Sequence, residues 1–390
     1  MESNKKFNPR SVQTRFQDLF DTQPIVVRSP GRINFIGEHT DYNNGYVMPA
    51  AIDRQIVAAV DFAPDPHSTL YSVKHNEFFS FHTTDPARVN SPLWANYLLG
   101  VVKKFSEEGY AVRAFNCVID GDVPTGAGLS SSAALECSFA YALNHLHGFD
   151  IPKLKLIQIA QWAEHNYAGV MCGIMDQFAS VMGQQGHAFV LDCRSLEYRY
   201  FPVDLSETSI ILCDSMVKHS LASTEYNTRR RECEEGVSIL RKYYPEVNSL
   251  RDATMQMLED HFTAFSRKVY DRCSYVIQEN KRVLDASRDL DNRDLISFGK
   301  RMYETHHGLS ELYEVSCEEL DFLVEQARKI PAVLGSRMMG GGFGGCTINL
   351  VVKKDSPDFV RKMTDAYRSR YNVEMKVYDV SISNGTGLVS

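Results

Sequence analysis

The sequence predicts an α+β protein built in two blocks. Up to about residue 206, short β-rich runs alternate with helical patterns. From Thr224 to Arg328 the pattern is mostly helical, and it then returns to strand, a glycine-rich turn, strand, helix and strand. Mixed elements segregated in this way favour α+β over a doubly wound parallel sheet. A chain of 390 residues is long enough for two domains with sizeable cores. No Pro/Gly/Ser-rich linker separates the blocks, so the expected domains, 1–206 and 207–390, share a broad interface.

In chain order, Ile25-Val26-Val27 is a short apolar run, and residues 54–62, 113–119 and 188–192 read as strands. The periodic stretches 130–147, 153–167 and 175–182 read as helices. The run 208–214 is a strand opening the second block, followed by long amphipathic helices such as 265–286. The chain closes with a strand at 347–352, a helix at 358–371 and a strand at 375–380.

Composition narrows the class. The chain is 44% hydrophobic and 23% charged, with a net charge of −7, the balance of an ordinary globular protein. Its densest basic run, Arg229-Arg230-Arg231, meets Glu232, Glu234 and Glu235 at once, which reads as a helix surface with intrahelical pairs and not as a nucleic-acid site. Residues Met1 to Arg10 lack the apolar core of a signal peptide. No apolar stretch approaches the roughly 18 residues of a membrane span. Nine cysteines, without a C-x-x-C pair, point to reduced thiols and away from a zinc site. A cytoplasmic monomer is the expectation.

Three motifs carry chemistry. The first runs Gly31-Arg32-Ile33-Asn34-Phe35-Ile36-Gly37-Glu38-His39-Thr40-Asp41-Tyr42. Two carboxylates and a histidine on one loop suit a polyhydroxylated ligand, because a carboxylate accepts several hydroxyl donors and histidine can donate or accept. Arg32 adds a fixed cation suited to phosphate. The second is Asp122-Val123-Pro124-Thr125-Gly126-Ala127-Gly128-Leu129-Ser130-Ser131-Ser132-Ala133-Ala134, between a strand and a strong helix. Gly126 and Gly128 allow close backbone approach. The serines fall where free N–H groups and the helix dipole make an anion site, and one hydroxyl can reach a magnesium ion. A plain serine helix cap would use the same residues. No Walker, H-R-D or D-F-G motif is present. The third motif, Met338 to Cys346, has five glycines in six positions, a turn whose backbone can approach another segment closely.

One carboxylate, Asp176 in Cys172-Gly173-Ile174-Met175-Asp176-Gln177, stands among apolar and small residues. A lone carboxylate there calls for a partner or a role. Glu164, twelve residues earlier, falls on a predicted helix.

Gly31 to Tyr42 resembles the signature of galactokinases, a branch of the GHMP small-molecule kinases, and the other two motifs match that superfamily in order. The resemblance runs from about residue 24 onward. It implies a two-domain GHMP fold, with a mixed-sheet N-terminal domain, an α+β C-terminal domain and the active site between them. It implies transfer of the γ-phosphoryl of MgATP to the anomeric hydroxyl of α-D-galactose. Asp176 and Arg32 would be catalytic. Glu38, His39, Thr40, Asp41 and Tyr226 would bind the sugar. Ser72, Gly126, Ala127, Gly128, Leu129, Ser130, Ser131 and Ser132 would bind ATP, and Ser132 with Glu164 would hold magnesium. Trp94 could pack on adenine or in the core. Two alternatives stand beside this: a kinase for N-acetylgalactosamine or arabinose, and a non-catalytic galactose- and ATP-binding regulator. Regulators of that kind carry a damaged nucleotide motif, whereas residues 130–134 are uninterrupted here.

Overall fold

The computed structural model describes residues 7–217 and 222–389. Residues 1–6, part of the segment read above as lacking a leader, lie outside them. The strands are β1 (Ile25–Asn34), β2 (Tyr46–Val47), β3 (Pro49–Phe62), β4 (Ser68–Ser72), β5 (Glu77–Phe81), β6 (Phe115–Gly121), β7 (His187–Asp192), β8 (Tyr198–Pro202), β9 (Thr208–Asp214), β10 (Val333–Met338), β11 (Cys346–Val352), β12 (Lys376–Val380) and β13 (Gly387–Leu388). The α-helices are α1 (Arg10–Phe20), α2 (Ala95–Glu107), α3 (Ser131–His147), α4 (Lys153–Ala163), α5 (Met175–Met182), α6 (Ala222–Leu240), α7 (Met255–Asp260), α8 (Arg267–Asp291), α9 (Leu295–His307), α10 (Glu318–Arg328) and α11 (Ser356–Tyr371).

A six-stranded sheet has the order β13-β1-β3-β6-β4-β5. It is mixed: β4 runs parallel to β6 and the remaining neighbours are antiparallel. α3 packs across β1 and β3, with α2 and α4 beside it. Their apolar faces close a core that includes Leu98, Phe115, Phe139 and Leu156. A four-stranded antiparallel sheet, β10-β11-β9-β12, carries α9 and α10 against β10. Its central strand β9 is buried along its whole length, as its β-branched run anticipates. A third sheet, β2-β7-β8, joins the halves. One core cluster runs across both blocks, from Ile33 and Phe35 to Val283, Met302 and Ile348, so the broad interface is present.

Three sequence expectations change. The polar run 31–42 begins as strand, because β1 continues to Asn34, and every residue from 31 to 41 is buried. The helix predicted over 153–167 leaves α geometry after Ala163 and finishes as a π turn, Glu164–Ala168. Arg229 is buried, donating to the carbonyls of Tyr313 (2.8 Å) and Glu314 (2.7 Å), while Arg230 makes the expected i,i+4 pair with Glu234. All nine cysteines are free thiols, and no described helix is long and apolar enough to cross a membrane.

Candidate active site

A cleft of about 530 Å³ is lined by all three motifs together with Glu164, Cys172, Asp176 and Tyr226. Arg32 reaches it because β1 changes register between Pro30 and Arg32, and such a bulge re-aims a side chain. Gly31 sits at that point. A Cβ there would lie 2.7 Å from the Leu129 carbonyl, which instead accepts the Arg32 N–H at 3.2 Å. The bulge therefore docks the phosphate loop directly on β1.

Arg32 grips Asp176 with two parallel bonds, Nε to Oδ1 at 2.7 Å and Nη2 to Oδ2 at 2.9 Å, and its Nη1 donates to the Gly128 carbonyl. Burial opposes the guanidinium charge, but Asp176 and Glu38 more than offset it and hold its pKa above the usual value. Asp176 stands in the first turn of α5, with its side chain 24% exposed to the cleft.

In the phosphate loop Gly126, Gly128 and Ser130 all take positive φ, at 78°, 74° and 57°. Ser130 precedes α3 but does not cap it; its hydroxyl donates to Asp176 Oδ2 at 2.5 Å. No side chain caps α3 at its Ncap position, which leaves the site open to an anion. The third motif buttresses the loop: a Cβ on Gly340 would sit 3.2 Å from Gly128 Cα. It also donates the Gly340 N–H to Glu38 Oε1, a backbone role that no side chain announces.

Glu164 opens the π turn, a departure from α geometry frequent at functional sites. It is buried, accepting from Ser132 Oγ (2.9 Å) on Oε1 and from Gln177 Nε2 (2.6 Å) on Oε2. Burial, then the nearby Asp176 charge, push its pKa up to about 7. Glu136, one turn along α3 from Ser132, is wholly buried with Oε1 unpartnered. Burial, then the Glu164 charge, hold the Glu136 carboxyl well above the usual carboxylate range, so the oxygens a magnesium ion would meet here are those of Glu164 and the Ser132 hydroxyl. Among the described residues no cluster of three or more His, Cys, Asp or Glu could hold a metal, so phosphate oxygens would have to complete the shell.

At the other end His39 adopts φ 63°, bonds Tyr42 Oη through Nδ1 at 2.8 Å and keeps Nε2 buried without a partner. Burial, then Arg229, push its pKa down to about 3, so the ring is neutral at physiological pH. Asp41 is pushed up to about 7, by burial first and Asp176 second. Glu38 accepts from Asn34 and Gly340 and lies 3.4 Å from Arg337. Tyr226 packs its ring 5.2 Å from His39 and 5.3 Å from Tyr42.

Three expected ligand residues are not brought to the cleft lining: Ala127, wholly buried in the core cluster between the two blocks, Thr40 and Ser72. Thr40 spends its hydroxyl on the carbonyls of Gly37 (2.9 Å) and Tyr46 (2.6 Å), so it shapes the loop. Ser72 is buried at the end of β4, accepting from the His75 N–H at 3.4 Å. Trp94 is half-buried against the α2 core, its Nε1 donating to Glu77 at 2.9 Å. Sequence reasoning missed Gln177, Tyr42 and Tyr313. Gln177 stands beside Asp176 in the quoted motif, and its buried place next to a carboxylate was the one available signal.

A bidentate Arg–Asp pair stands between a helix start open to an anion and a buried polar loop, an arrangement suited to a small-molecule kinase. The match to known families agrees: "GHMP kinases N terminal domain" covers residues 96–184, "GHMP kinases C terminal" covers 286–369, and "Galactokinase galactose-binding signature" covers 14–62. A galactokinase of Thermotoga maritima is 41% identical over 93% of this chain and 99% of its own length. The crystal structure of Lactococcus lactis galactokinase complexed with galactose superposes with a TM-score of 0.93 at 32% identity, over 97% of this chain and 99% of that one. Methanococcus jannaschii mevalonate kinase shares the fold, with a TM-score of 0.66 at 15% identity over 93% of this chain and 99% of that one. The chain belongs to the galactokinases of the GHMP kinase superfamily; it is an ATP-dependent sugar kinase.

Proposed function

We propose that the chain transfers the γ-phosphoryl of MgATP to the anomeric hydroxyl of α-D-galactose, giving galactose 1-phosphate and ADP, with its residues in the following roles. Glu38, His39, Asp41 and Tyr226 bind the sugar, the buried free Nε2 of His39 awaiting a hydroxyl. Asp176 orients the attacking hydroxyl and takes its proton, and Arg32 stabilises the charge of the group in transfer. Gly126 to Ser132 and the start of α3 hold the phosphates. Ser132 and Glu164 are the magnesium ligands, and the ion would neutralise phosphate charge when bound. The observation that carries this reading is the two-point Arg32–Asp176 pair, set between the phosphate loop and the sugar residues. Catalysis then rests on positioning and electrostatics.

The division into domains 1–206 and 207–390 is supported by the sheets: β9 to β12 form one, and β1 and β3 to β6 build the other. β13, from the second block, nonetheless joins the first sheet. A monomer suffices, since this single chain lines the whole cleft. Nine free thiols favour a reducing compartment such as the cytoplasm.

The test is ADP release with MgATP and a panel of sugars. Galactose should exceed glucose in kcat/KM by orders of magnitude, because a site built to hydrogen-bond one hydroxyl rejects its misplaced counterpart. A higher kcat/KM for N-acetylgalactosamine or arabinose would transfer the assignment to that sugar. Binding of both ligands without turnover would make the chain a regulator.

A further inference from the structure

The loop 35–45 is an unfavourable shape for a free chain. Gly37, His39 and Asn44 all take positive φ, at 96°, 63° and 57°, and such conformations persist only where surroundings over-determine them. The surroundings come from α8, in the other block of the chain. Tyr275, Glu279, Asn280 and Val283 share one face of that helix by their i, i+4, i+5 and i+8 spacing. Glu279, wholly buried, accepts the Gly37 N–H at 2.7 Å. Tyr275 Oη donates to the Glu38 carbonyl at 2.9 Å, and Asn280 Oδ1 accepts the Tyr46 N–H at 2.9 Å. The packing is equally close. A Cβ on Gly37 would lie 2.8 Å from Val283 Cγ2, and one on Gly45 would lie 2.3 Å from Asn280 Oδ1. Tyr275 has a second route to the site: its ring packs 4.8 Å from Tyr313, whose hydroxyl meets Tyr42 Oη at 2.8 Å, which in turn bonds His39.

We propose that Tyr275, Glu279 and Asn280 are positioning residues that mould the sugar-reading loop from the second block, with Tyr275 governing sugar affinity most. The proposal rests on the reading that residues 38–41 bind the sugar. Of these three, Tyr275 is the one that touches both the backbone of one sugar residue and the ring of a tyrosine in the hydroxyl chain that orients another. Its phenol does not line the cleft, so it acts through them.

Tyr275→Phe deletes one hydroxyl and keeps the ring. Calorimetry should show galactose binding weakened about tenfold, the effect of one lost buried hydrogen bond, with MgATP affinity unchanged within about twofold. Wild-type galactose affinity in the folded variant overturns the proposal, as does equal weakening of both ligands, which marks a merely structural role. If Tyr275→Phe does not fold, Asn280→Ala serves, with galactose-specific weakening of about threefold expected from its single bond to Tyr46; no change there overturns it. Glu38→Gln separates the two layers. If Glu38→Gln weakens galactose and Tyr275→Phe does not, the positioning idea alone fails. If neither weakens it, the sugar reading of the loop fails and takes the proposal with it.

Discussion

With the ligands placed as proposed, the two ends of the cleft solve recognition in opposite ways. At the sugar end each residue from 31 to 41 is buried, and the side chains of Glu38 and His39 are already held by bonds to Asn34 and Tyr42. At the phosphate end Thr125 and Gly126 are exposed, and the reading groups are backbone N–H groups at a helix start. A sugar is neutral and differs from its isomers only in the direction of its hydroxyls, so its reader must hold fixed directions in a dry setting. A triphosphate presents dense charge, and a helix terminus with open donors answers charge without fine aim. Rigidity is therefore concentrated where stereochemistry is read, and openness where charge is read.

The sharpest way to break this contrast is at Asp176, where the ends meet. Asp176→Asn keeps the shape and removes the charge and the basicity. Turnover should fall by about 10²- to 10⁴-fold, while calorimetry still detects galactose and MgATP. Near-wild-type turnover would assign the chemistry to Arg32 and the phosphate end alone. Next in size, Glu164→Gln removes the anionic oxygen at the phosphate end. The magnesium concentration giving half-maximal ADP binding should rise at least about tenfold, no less than loss of an outer-shell partner would cost, with galactose affinity untouched; an unchanged titration removes Glu164 from the metal site. The smallest effect belongs to the sugar end. Asp41, with its pKa near 7, is mostly protonated at pH 6 and mostly ionised at pH 8. The ionised form accepts more hydroxyl donors, so galactose binding without nucleotide should strengthen several-fold as pH rises between those values. Burial first, then Asp176, the Tyr42 N–H, Glu38 and Arg32, set that titration, and His39, at about 3, stays neutral throughout. Asp41→Asn should flatten the profile, and a profile still sloping in that variant would place the titration elsewhere.

Much of the cleft was legible in the sequence because the residues that line it sit in contiguous motifs. Arg32, the glycines of the phosphate loop and Asp176 each stand in a string whose composition has a chemical reason. Strand 208–214 and helix 175–182 come out at their observed bounds, since a fully buried apolar run and an apolar helix face ended by Gly183 leave little ambiguity. What was hidden acts across long sequence separations. Tyr275 and Glu279 look like ordinary positions of an amphipathic helix, and only the fold brings them to residues 37 and 38. Arg337 likewise reads as a strand residue, yet its guanidinium is wholly buried and donates to the carbonyls of Asn34 and Phe35. Thr40 and Ser72 show the converse, side chains from motif stretches that lie off the cleft lining. Both belong to functional stretches, but short hydroxyl side chains readily turn back on their own loops.

The pairing of β13 with β1 bears on the order in which the molecule can be assembled. Val27 and Arg28 find their partners at Leu388 and Gly387, and buried Ser29 shares a hydrogen bond with Thr386 at 2.7 Å. Synthesis runs from the N-terminus, so the strand that carries Arg32 keeps a bare edge until the ribosome has passed residue 388. The first block can collapse early, but it cannot finish. During that interval the exposed edge invites pairing with other nascent chains, and β13, made long after β1, acts as a clasp that closes it.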